Sequence, residues 1–92
     1  MRIKARNDYV LRKIVDEYLL LPVGENQKEL KGAIRINEIS AFVWNAILEE
    51  VDFDTVLDRI LSEYEIDKKT ATNDLEYLIS KLVELNLVEV VD

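Results

Sequence analysis

Nineteen carboxylates and twelve basic side chains supply almost all the ionisable chemistry of this 92-residue chain. There is no His, the commonest general base and metal ligand. There is no Cys, so a disulfide framework, a thiolate metal site and a Cys nucleophile are excluded. Ser40, Ser62 and Ser80 therefore have no imidazole to activate them. Asp54/Asp58 and Glu49/Glu50 are carboxylate pairs in sequence, but they fall on polar helix faces. Acid–base work needs burial or a close like charge to separate two carboxyl pKa values, and an exposed face supplies neither. Asp52-Phe53-Asp54 lacks the spacing and glycine of a calcium loop. Gly24 and Gly32 stand alone and neither opens a helix, so no phosphate-binding loop is present. Neither catalysis nor a cofactor is expected, and the chain reads as a binding module.

The length allows one domain, residues 1–92. Hydrophobic residues make up 49%, enough for an ordinary core, and two Gly with one Pro argue against a linker-like chain. The apolar run Leu19-Leu20-Leu21-Pro22-Val23 falls far short of a membrane span. No apolar signal core follows Met1–Arg6, so the expected location is the cytoplasm. Net charge is −7 and unevenly spread. Residues 1–36 carry eight basic and five acidic side chains; residues 37–92 carry four and fourteen. The acidic part repels phosphates and admits a charged peptide or protein partner.

The elements that hold these side chains change period at Asn37. Tyr9–Ile14 and Tyr18–Val23 are rich in β-formers, and Val15-Asp16-Glu17 between them suits a hairpin. The second run is apolar at nearly every position, as a central strand should be. Residues 23–27 read as a loop. Leu30, Gly32, Ile34 and Ile36 then alternate with Lys31, Ala33 and Arg35, the pattern of an edge strand with one wet face.

Asn37 is a good N-cap for a helix running to about Glu49. Its polar stripe is Glu38, Asn45 and Glu49. Phe42 lies within about 40° of Glu38, so it either contacts another element or is exposed. Asp52 caps a second helix with Phe53, Val56, Leu57, Ile60, Leu61 and Tyr64 on one face. Asp67 caps a third, with Ala71, Leu75, Leu78, Leu82 and Leu85 as the inner stripe. Asn86 stops that helix in the left-handed conformation, with Leu87 packing back. Trp44 and Tyr64 are expected in the core. Glu89-Val90-Val91 is a short strand or a frayed tail. The order β-β-β-α-α-α is α+β.

Three kinds of partner fit this plan. Helices two and three with a small sheet look like a winged helix-turn-helix, whose third helix would read DNA. That helix mixes Lys68, Lys69 and Lys81 with Asp67, Asp74, Glu76 and Glu84, unlike a groove reader. An edge strand over Gly32–Ile36 can accept a peptide as a further strand. The same edge can pair with a second copy, so monomer and dimer both remain open.

One ordered set of motifs resembles a known family. It comprises Leu21-Pro22-Val23-Gly24-Glu25, Ile36-Asn37-Glu38 leading into Ala41-Phe42-Val43-Trp44, Ile60-Leu61-Ser62-Glu63-Tyr64 with Ile66-Asp67, Thr70-Ala71, Asp74-Leu75, and Leu82–Val88. Its order and spacing, from about Tyr9 to Glu89, resemble the PqqD family, also described as the RiPP recognition element. The chain departs from the family's glycine pattern at Ser40, Glu50 and Asn86.

The resemblance implies a winged-helix-like domain with a three-stranded antiparallel sheet followed by three helices. It implies binding of the leader of a ribosomally made precursor peptide, added along the third strand in a cleft walled by the third helix. The domain presents that peptide to a modifying enzyme, often a radical-SAM protein, and has no catalytic role of its own; charge and the short apolar run separately argue against a nucleic-acid partner and a membrane. Carried over by position, the strand wall is Ala33, Ile34, Arg35 and Ile36. The helix wall falls on Asp74, Tyr77 and Lys81, one flank of the third helix, with Leu78 at its boundary. Ile79 and Val83 lie on the opposite flank.

Overall fold

Alternating apolar residues build two small antiparallel sheets around the helices. The computed structural model describes residues 1–23 and 32–91. Strands β2 (Tyr9–Ile14), β3 (Glu17–Pro22) and β4 (Ile34–Ile36) form one sheet in the order β2-β3-β4. These are the three strands expected from sequence, with the apolar β3 in the centre. Only Leu20 of β3 is fully buried, so cover on the second face is partial. Leu30 and Lys31, like residues 24–27 of the expected loop, lie outside the described residues. Gly32 is not part of the strand. Its φ of +101° suits a glycine and breaks the period-2 pattern before β4 begins.

A second sheet, β5-β1-β6, joins β1 (Arg2–Ala5), β5 (Val51–Asp52) and β6 (Val88–Val91). Sequence reading gave no strand for β1 or β5, and it left the tail open; the tail is β6. Ile3 and Ala5 of β1 point inward and are buried, while Arg2 and Lys4 face out. Backbone bonds fasten this sheet to the helices. Ala5 N–H donates to Ile47 C=O at 2.7 Å, Arg6 N–H to Leu87 C=O at 2.9 Å, and Phe53 N–H to Met1 C=O at 3.0 Å.

Three helices follow the wing sheet: α1 (Glu38–Ala46), α2 (Phe53–Glu63) and α3 (Lys68–Glu84). All three expected caps form. Ser40, Thr55 and Thr70 each donate a backbone N–H, at 2.8 Å, to Asn37, Asp52 and Asp67 respectively. Helix α1 is shorter than expected, ending at Ala46 rather than near Glu49, because the chain must turn to reach β5. Asn86 ends α3 with φ +61°. Its N–H donates to Val83 C=O, and Leu87 N–H to Leu82 C=O, completing a Schellman motif over the fully buried Leu87.

The core joins both sheets to the helices through Ile3, Leu20, Val43, Trp44, Ile47 and Leu75. Trp44 is buried as expected; Tyr64 is half-buried against the core. Phe42 meets Tyr64 edge-on, ring centroids 5.5 Å apart, which settles its place on the polar stripe as an inter-helix contact. The inner stripe of α3 is rotated from the expected one. Ile79 is buried, Leu78 half-buried and Leu85 53% exposed. Leu85 is the C-cap residue, where the chain leaves the helical path, so projecting the stripe through it fails.

Candidate functional site

The hairpin fixes which backbone groups of β4 point away from β3. Ile14 pairs with Glu17 across a two-residue turn, and such a pair must exchange both of its hydrogen bonds. Bonded pairs then recur at every second residue, at Arg12–Leu19 and Val10–Leu21. The bond from Val23 N–H to Asp8 C=O, 2.9 Å, continues that phase. Glu17, Leu19 and Leu21 thus aim their backbone at β2, and Tyr18 and Leu20 aim theirs at β4. Tyr18 lies opposite Ile36 and Leu20 opposite Ile34. Ile34 and Ile36 therefore bond inward, and the N–H and C=O of Arg35 point out of the sheet. Among the described residues these two groups meet no partner.

Side chains follow the same alternation. Ile34 and Ile36 pack half-buried against the core, and Arg35 stands on the outer face. Its guanidinium lies 3.3 Å from Glu17 Oε1. Ala33 precedes the strand and is exposed.

A cleft of about 350 Å³ opens where β4 runs into α1. One wall is the first turns of α1, with Asn37, Ile39, Ser40 and Val43; the floor includes Ile60, Ile66 and Leu75. The other wall is the flank of α3 named from sequence: Asp74, Tyr77, Leu78 and Lys81 all line it. Leu78 is half-buried on the apolar side, and Asp74, Tyr77 and Lys81 form an exposed rim. Tyr77 is 66% exposed, an aromatic ring held in water beside an apolar floor. Lys81 Nζ sits 5.6 Å from the centre of that ring and 3.5 Å from Glu84 Oε2. Val83, on the opposite flank, is 46% exposed and does not line the cleft, whereas Ile79 there is core. The strand residues 33–36 border the cleft through Asn37 without lining it.

Sequence reading missed the α1 wall. Ile39 and Val43, one helical turn apart, lie on an apolar surface that covers most of the helix circumference, so periodicity does not single them out. The signal available was Ser40, a polar residue breaking that apolar surface beside the cap. Elsewhere, burial first and the nearby Glu38 second push the Tyr64 hydroxyl above its usual value. Its partner Phe42 and the neighbouring Glu38 do not line the cleft, so this cluster braces α1 against α2 outside it.

A family model described as Coenzyme PQQ synthesis protein D (PqqD) matches residues 17–88. The chain belongs to the PqqD family. The match begins at β3 and ends in β6, taking in β4, all three helices and the cleft between α1 and α3. Two solved structures share the PqqD-family fold over nearly their whole length. TbiB1 in complex with the TbiA(beta) leader peptide is 22% identical with a TM-score of 0.75, over 97% of this chain and 98% of that one. A lasso peptide synthetase B1 complexed with the leader peptide is 18% identical with a TM-score of 0.74, over 96% and 98%. These likenesses establish the α+β architecture. No curated protein matches the sequence.

Proposed function

We propose that this PqqD-family chain is a single non-catalytic domain that recognises the leader segment of a ribosomally made precursor peptide. The leader adds as a fourth strand beside β4 and lays alternate side chains into the cleft between α1 and α3. The observation that carries this reading is the outward-facing backbone of Arg35, next to an apolar cleft. Both similar solved structures are, by their names, complexes with leader peptides.

In this reading Ala33, Ile34, Arg35 and Ile36 form the rail. Backbone bonds to Arg35 supply affinity that is blind to sequence. Leu78 and the floor receive an apolar side chain, Tyr77 covers it, and Asp74 and Lys81 offer polar anchors at the rim. The chemistry on the core peptide belongs to a separate modifying enzyme, with radical-SAM enzymes the class suggested by the family resemblance. Among the described residues no helix is long and apolar enough to cross a membrane. The cytoplasm, where a ribosomal product first appears, is the proposed place of work.

The decisive variant is Arg35→Pro. Proline removes the outward N–H and fixes φ near the strand range, while leaving the bonds of Ile34 and Ile36 to β3 in place. Titrated with a leader peptide that wild type binds, the variant should keep its circular dichroism spectrum. It should lose roughly tenfold or more in affinity, the cost of one buried strand bond and its orphaned acceptor. Unchanged affinity in the folded variant overturns strand addition at β4.

A further inference from the structure

The register of the wing sheet specifies more than where a peptide lies. Arg12, Leu19 and Arg35 are successive partners across β2, β3 and β4, one row on the outer face. A strand added beside β4 extends that row by one residue, directly opposite Arg35. For a strand added antiparallel, as every pair in this sheet is, this peptide residue exchanges hydrogen bonds with the outward backbone of Arg35. It therefore shares Arg35's face, with Cα atoms about 5.5 Å apart. Its two neighbours point the other way, toward the face of Ile34 and Ile36 and the cleft.

The charge on that row is one-sided. Arg12 and Arg35 are its only ionisable members among the described residues. The Arg35 side chain is 73% exposed, held by one contact to Glu17 from the adjacent row. Glu17 occupies one edge of the guanidinium fork, which can take more than one carboxylate oxygen. A cation opposite Arg35 would meet like charge at close range, and an apolar residue there would remain in water. The cleft-facing neighbours meet the apolar wall residues Ile39, Val43 and Leu78.

Resting on the leader-recognition reading, we propose that Arg35 selects for charge. The peptide accepted by this edge carries Asp or Glu opposite Arg35, between two apolar residues that face the cleft. Arg35 is then a specificity-determining residue through its side chain and a docking rail through its backbone, and the two roles separate by mutation.

The test is selection of a displayed library of random dodecapeptides on immobilised wild-type protein and on Arg35→Glu, Arg35→Pro and Glu17→Gln, each checked for its folded spectrum. Wild type should enrich apolar–acidic–apolar triads, and Arg35→Glu should enrich apolar–basic–apolar ones. A selected peptide should bind wild type roughly fivefold more tightly with Glu than with Lys at the central position, reversed on Arg35→Glu. Glu17→Gln, which frees the guanidinium without touching the rail, should sharpen the acidic preference. If both pools show the same apolar spacing with no change of central charge, the charge proposal fails and strand addition stands. If Arg35→Pro enriches the same peptides as wild type, or no pool enriches any peptide, strand addition fails and the charge proposal falls with it.

Discussion

At the residue scale, local chemistry decides where elements start and stop. Asp52 is held below the usual carboxylate range by hydrogen bonds from Thr55, its hydroxyl first and its N–H second. Asp67 is lowered by the Thr70 N–H and then the Thr70 hydroxyl, which lie 2.8 and 2.9 Å away. A carboxyl lowered by folding binds its proton more readily in the unfolded chain, so stability rises with pH through that region. The contribution of both caps is complete above the unfolded value, about 3.9 for Asp, and is lost as pH falls through the lower folded values. Thermal melts between pH 7 and 2 should show this loss, and Asp52→Asn with Asp67→Asn should flatten the acid limb. Val15 makes a different prediction. It is a β-branched residue at φ +57° and 85% exposed, so it strains the hairpin without packing in return. Val15→Asn, which tolerates the left-handed region, should stabilise the protein by about 1 kcal/mol in urea titrations.

At the element scale, long periodic segments were readable and short ones were not. The three caps Asn37, Asp52 and Asp67 mark their helices because side-chain oxygens there answer free N–H groups that every helix start presents. Strands β2 and β3 announce themselves in the runs Tyr9–Ile14 and Tyr18–Val23, which are rich in β-formers. Strand β1 has only Arg-Ile-Lys-Ala, too few residues for alternation to stand out, and β5 has two; both exist because β6 and the core complete them. The same limit applies to the site. That α3 walls the cleft was an implication of the family resemblance; 100° geometry added only that Asp74, Tyr77 and Lys81 share one flank. The phase of β4 was not legible, because it is inherited from the turn at Val15-Asp16 through β3. The clamp formed by β1 carries its own prediction. Ile3 is fully buried among both sheets and the helices, so Ile3→Ala should cost about 2–4 kcal/mol by denaturant unfolding. A loss below 1 kcal/mol would show that the second sheet is peripheral to the core.

At the scale of the whole molecule, the fold divides its two sheets between two tasks. The sheet β5-β1-β6 ties the first residues to the ends of α1 and α3. Among the described residues β4 is an edge of the sheet β2-β3-β4. Helix α3 packs against α2 and β6, and the cleft opens between α3 and the first turns of α1, with β4 bordering it through Asn37. Charge divides the chain at Asn37 instead. Residues 1–36 hold the basic excess and the helical part the acidic one, which leaves α3 ill-suited to a phosphate backbone. Amide hydrogen exchange at single-residue resolution reads the proposed rail directly. In the free protein the Ile34 and Ile36 amides should exchange slowly and the Arg35 amide fast. On saturation with a leader peptide that the protein binds, Arg35 should become the amide that gains most protection in β4. A leader that binds while the Arg35 amide keeps its free rate would contradict the account.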